Sequence, residues 1–106
     1  MFDAAREAIN VSAGKSKDDI ESERLLNLSL VRLLEIIGEA ASKVSANFRS
    51  QYTAIPWAQI TGMRNRLIHG YVDIDFDILY QTITEDLPPL INELERILES
   101  IKISSR

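Results

Sequence analysis

The segment "LLNLSLVRLLEIIGEAASKV" (Leu25–Val44) decides the fold. Leu30, Leu33, Leu34, Ile37, Ala41 and Val44 recur at the i, i+3, i+4, i+7 spacing of an amphipathic helix. A second apolar row, Leu26, Val31, Ile36 and Ala40, lies beside the first and leaves Arg32, Glu35, Glu39 and Lys43 as a narrow polar stripe. A helix apolar around most of its circumference must be covered on several sides. A small bundle covers it only in part, which predicts a homodimer. The periodicity predicts one long helix from about Asp19 to Asn47.

Outward from this helix, the other apolar periods are also helical. Phe2, Ala5 and Ile9 mark a short helix ending near Gly14, and Ser16 or Asp18 can cap the next one. "FRSQYTAIPW" (Phe48–Trp57) reads as a loop. Pro56 suits the first turn of a third helix through Trp57, Ile60 and Leu67 toward His69, with Gly70 as its left-handed C-cap. A last helix runs from about Asp75 to Ile101 on Leu79, Ile83, Leu87, Leu90, Leu94 and Leu98. Pro88 and Pro89 lie inside it and predict a kink or break near Asp86–Leu87. Strand signals are weak. The expected architecture is all-α, a bundle of four or five helices in a single domain over residues 1–106.

Composition excludes several classes of chemistry. The chain has no cysteine, which removes disulfides, iron–sulfur clusters and cysteine-based zinc sites. Its single histidine cannot build a multi-histidine metal site within one protomer, so neither metal nor cofactor is expected. No apolar run approaches the roughly 20 residues that span a bilayer, and "MFDAAREAIN" lacks the layout of a signal peptide. A cytoplasmic location with no membrane partner is expected. The net charge of −4 argues against a broad nucleic-acid surface but leaves room for a local basic site.

Two motif-like stretches do not hold up. "GKS" (Gly14–Ser16) lacks the upstream glycine of a phosphate-binding loop, since Ile9 stands there. "DIDFD" (Asp73–Asp77) lacks the glycine and glutamate of a calcium loop, because Ile78 and Thr84 occupy those places. Asp75 and Asp77 fit a helix N-terminus instead. Glu35 and Glu39 fit a solvated stripe, with Glu39 paired to Lys43.

The functional-looking side chains gather in "GMRNRLIHGY" (Gly62–Tyr71). If residues 64–69 are helical, Asn65 and His69 share a face, and Arg64 reaches it by bending back. Arginine matches phosphate geometry and histidine transfers protons near neutral pH, so Arg64, Asn65 and His69 form a minimal kit for cleaving RNA without metal. On composition alone a plainer arrangement is favoured, in which His69 caps a helix and Arg64 and Arg66 make surface salt bridges. Cleavage is helped by a base at the 2′-hydroxyl and an acid at the leaving 5′-oxygen. One histidine per chain means that a two-histidine site needs two protomers.

"RNRLIHGY" carries the R-x4-H-x-Y pattern and resembles the HepT-like proteins of the HEPN superfamily. "LVRLLEIIGEAA" (Leu30–Ala41), "IPWAQITGMRNRLIHGY" (Ile55–Tyr71) and "ITEDLPPL" (Ile83–Leu90) extend the resemblance over nearly the whole chain. It departs at Thr53 and Tyr80, where proline and tryptophan are expected. The resemblance implies a dimerising helical domain whose two motifs meet in a cleft. It also implies a metal-independent ribonuclease toxin acting on RNA, partnered by an MNT-type nucleotidyltransferase antitoxin. By position it implies that Arg64 and His69 are catalytic, that Asn65 is their polar companion, and that Tyr71 is an AMP acceptor. The competing expectation is a catalytically idle HEPN domain that binds nucleotide or a partner nucleotidyltransferase.

Overall fold

The computed structural model describes residues 1–69 and 73–104, with the side chains of residues 69, 103 and 104 outside the description. The all-α reading holds, but each long helix expected from periodicity is divided.

Helix α1 (Phe2–Ser12) buries Ala4, Ala5 and Ala8, and these small side chains let it lie along α3. The Ser12 hydroxyl donates to the Ala8 carbonyl at 2.7 Å, and Gly14 (φ 76°) turns the chain. Helix α2 (Lys17–Ser22) opens with a capping box. The Ser16 hydroxyl accepts from the Asp19 N–H at 3.1 Å, and the Asp19 carboxylate accepts from the Ser16 N–H at 3.0 Å.

A break at Glu23 (φ −93°, ψ 95°) separates α2 from α3 (Arg24–Ser42), so the helix expected over Asp19–Asn47 is not continuous. The cause is a buried side chain. Asn27, 1% exposed, donates its amide to the carbonyls of Ile20 (3.1 Å) and Glu21 (3.3 Å), satisfying the end of α2 from within α3. The far end of the expected helix is cut at Lys43. Ser45 there caps a separate helix, α4 (Ala46–Gln51), by accepting from the Phe48 N–H at 3.1 Å. Part of the expected loop at Phe48–Trp57 is therefore helical. It is anchored where the Phe48 ring meets Tyr52 at a tilt and Trp57 edge-on, and the Trp57 indole donates to the Tyr52 carbonyl at 3.0 Å.

Helix α3 forms the centre. Leu30, Leu34, Ile37 and Ala41 are wholly buried, and α1, α2, α5 (Trp57–Thr61) and α6 (Met63–Leu67) surround it. The second apolar row is covered only in part within the protomer: Val31 is buried and Leu26, Ile36 and Ala40 are half-buried. At Gly38 an added Cβ would lie 3.1 Å from the Ile60 carbonyl oxygen, so glycine lets α5 approach α3 closely. Beyond α6, Ile68–His69 (β1) pairs antiparallel with Asp73–Ile74 (β2).

The last helical stretch begins with α7 (Phe76–Gln81), where the Asp75 carboxylate caps the Ile78 N–H at 3.1 Å. It passes through a π-turn (Thr82–Asp86) into α8 (Leu87–Ser104). The irregularity expected from Pro88 and Pro89 is thus this wide turn immediately before them. Prolines at 88 and 89 deny the carbonyls of Thr84 and Glu85 their usual i+4 donors. Among the described residues no helix is long and apolar enough to cross a membrane.

Candidate active site

Helix α6 is five residues long and held by two of them: Met63 and Leu67 are buried, 3% and 0% exposed. Their spacing turns Arg64 and Asn65 outward, and both are exposed. Gly62 starts the helix with a tight turn, accepting from the Asn65 N–H at 3.2 Å.

Arg64 meets a carboxylate from the central helix. Its Nε lies 3.8 Å from Glu35 Oε2, and Arg32 Nη1 approaches the same oxygen at 3.7 Å. The Glu35 side chain is 20% exposed, whereas Arg64 is 70% exposed. Two guanidinium groups around one carboxylate leave a local excess of one positive charge in a chain of net charge −4. Both separations exceed hydrogen-bond length, so the Arg64 donors remain able to bind an anion. Glu35 is therefore not a freely solvated stripe residue but the counter-charge of the motif arginine.

The helix does not reach His69. Ile68 is extended (φ −116°, ψ 119°), and its N–H makes the last helical bond, to the Arg64 carbonyl. The Leu67 carbonyl then accepts from the Asp75 N–H at 2.7 Å, and Ile68 and His69 take Ile74 and Asp73 as ladder partners. Asn65 and His69 thus do not stand four apart on one helical face, as expected from the sequence. Arg64, Asn65 and the His69 backbone remain on one short continuous segment. The expected C-cap at Gly70 and the expected AMP acceptor Tyr71 lie outside the described residues.

Arg66 points elsewhere. Two residues along a helix is a rotation of about 200°, and its Nη2 donates to the Gln59 carbonyl at 2.9 Å. Among the described residues it has no acidic partner, so the surface salt bridge considered for it is not seen there. The "GKS" stretch serves the turn between α1 and α2, where Lys15 pairs with Glu23 at 3.1 Å and Ser16 caps α2. Among the described residues no three His, Cys, Asp or Glu side chains gather into a possible metal-ligand set.

Sequence reading missed two acidic neighbours of the motif. Glu35 has a weak sequence signal, a carboxylate in the polar stripe of an otherwise apolar helix. Asp73, the ladder partner of His69, has none, because two-residue strands lack a periodic pattern.

A family model described as "Ribonuclease HepT-like" matches residues 1–97. A protein of Caldanaerobacter subterraneus subsp. tengcongensis bearing the name "Putative RNase" is 37% identical over 89 residues, covering 84% of this chain and 80% of that one. A "Probable ribonuclease HepT" of Thermococcus cleftensis is 34% identical over 80 residues, 76% of this chain and 73% of its own. A "Putative RNase" of Methanocaldococcus jannaschii is 30% identical over 95 residues, 90% of this chain and 87% of its own. No solved structure matches the chain.

Proposed function

The chain belongs to the HepT-like ribonuclease family of the HEPN superfamily, and from that premise we propose that it is a metal-independent endoribonuclease toxin. The observation that carries the reading is the exposed Arg64, held beside Glu35 and Arg32 with no hydrogen bond among the described residues and with positive charge in excess. Such a group binds a phosphodiester and stabilises the added negative charge of its transition state.

In the proposed step the RNA 2′-oxygen attacks the adjacent phosphorus while His69 of one protomer takes its proton. The bond from phosphorus to the 5′-oxygen breaks, and that oxygen receives a proton from His69 of the second protomer. The products are a 2′,3′-cyclic phosphate and a 5′-hydroxyl. Arg64 holds the non-bridging oxygens, and Asn65 is the polar companion of the site. The two-fold homodimer brings two copies of the motif into one cleft. Leu25 and Leu28 on α3, 84% and 44% exposed, offer apolar surface for this association.

The proposed partner is an MNT-type nucleotidyltransferase antitoxin acting in the cytoplasm. It transfers AMP to Tyr71, and the added anion repels RNA phosphate. A second reading, an idle HEPN domain that binds nucleotide or that partner, is favoured by the acidic net charge. Purified protein incubated with RNA in EDTA separates the two. Cleavage by wild type that His69→Ala abolishes supports the nuclease, and an intact RNA with wild type supports the idle domain.

A further inference from the structure

The face of α6 opposite Arg64 borders a concavity. It lies between α5–α6 and the junction of the π-turn with α8, and has a volume of about 260 Å³. Its floor is apolar: Ile60, Met63, Leu87 and Leu90 are each at most 6% exposed and form part of its lining. Its rim is charged. Glu93 is balanced by Arg96, whose Nη1 lies 2.9 Å from Glu93 Oε1. That leaves Glu85 and Asp86 of the π-turn, which pair with no cation among the described residues, against Arg66 alone. Two carboxylates against one guanidinium leave the rim acidic by one charge.

Local chemistry explains why the cavity is there. The π-turn widens the helix just before Pro88 and Pro89, and Glu85 and Asp86 within it line the opening. Turns of this kind are a recurrent device for shaping sites. On the other wall, the Arg66 guanidinium folds back onto the Gln59 carbonyl at 2.9 Å.

We propose that this cavity is a docking site for a protein partner, taking one apolar side chain of a peptide segment flanked by lysine or arginine. The size admits an apolar side chain, since about 260 Å³ lies near the lower end of the roughly 300–1,000 Å³ of small-ligand sites. The charge selects the flanking residues. Lysine or arginine beside the anchor meets Glu85 and Asp86, whereas an acidic segment or an RNA phosphate is repelled. The partner site and the RNA-facing Arg64 therefore sit on opposite faces of one five-residue helix. The proposal does not depend on RNA cleavage.

The test is an amide chemical-shift titration of the whole chain. The probes are N-acetyl-Lys-Leu-Lys-amide, N-acetyl-Glu-Leu-Glu-amide and a short oligouridylate. Peptide concentrations reach about 10 mM, since a single anchoring side chain supports only millimolar affinity. The basic peptide is expected to shift the amides of Ile60, Met63, Leu87 and Leu90 in a saturable way, and the acidic peptide and the RNA to leave them in place. Ala54→Trp, at an exposed lining position, is expected to abolish these shifts while the circular dichroism spectrum is retained. Glu85→Lys combined with Asp86→Lys is expected to reverse the preference between the two peptides. Equal shifts from both peptides, shifts from the oligouridylate at these amides, or no localised shift from the basic peptide would each overturn the proposal.

Discussion

Glu35 and Arg64 come from different helices, and their charged groups stand 3.8 Å apart, too far for a hydrogen bond and close enough for mutual attraction. Glu35 is the more enclosed partner, so it can hold the arginine in place while the guanidinium faces solvent.

Replacing Glu35 with Gln removes the negative charge and keeps the shape. RNA affinity is expected to rise by about two- to fivefold at low salt, because a partly exposed pair is worth at most about 1 kcal/mol. Anisotropy of a labelled RNA, measured in a His69→Ala background to prevent cleavage, gives the number. The gain should shrink at high salt, since exposed charges are screened. Unchanged binding would mean that Arg64 does not contact phosphate, and weaker binding that the hold of Glu35 on the guanidinium outweighs its charge.

A site that needs His69 from both protomers predicts a particular dilution law. When wild type is mixed with an equal amount of His69→Ala and subunits exchange at random, about one quarter of the dimers keep both histidines. Activity per total protein should fall to that fraction of wild type. A fall only to about one half would indicate protomers that cleave independently.

Asn27 ties α3 to the end of α2 from a fully buried position. Asn27→Ala leaves the Ile20 and Glu21 carbonyls without their side-chain donor. The expected loss is about 1–3 kcal/mol, read from the urea midpoint with the slope unchanged. The Asn27 Oδ1 has no partner among the described residues, which limits the cost toward the lower end.

The Asp19 carboxylate is held below its ordinary pKa of 3.8, first by the Ser16 backbone N–H and then by the Ser16 hydroxyl. A depressed folded pKa contributes stability that is present above the unfolded value and lost as pH falls through the folded value. Asp19→Ala should therefore lower the melting temperature at neutral pH. The difference from wild type should narrow as pH drops below 3.8. A difference independent of pH would remove the charged capping box as its cause.

Much of this molecule was written locally in its residues. The 3.6-residue spacing of Leu30, Leu34, Ile37 and Ala41 determined an apolar helix at the centre, since burial of one face is set by the order of side chains along it. Ser16 and Asp75 marked helix starts for a local reason, because a capping side chain reaches only its own first turn. Contacts that reach beyond a single helical turn decided the rest. Asn27 broke the long helix by reaching back to Ile20, and the pairing of Ile68–His69 with Asp73–Ile74 ended α6 before the motif histidine. The juxtaposition of Glu35 with Arg64 depends on how closely α5 and α6 settle on α3, which Gly38 permits. Periodicity reports which face of a helix is buried. It carries no information on which charged group from another element will stand opposite, because that is set by packing distance and angle.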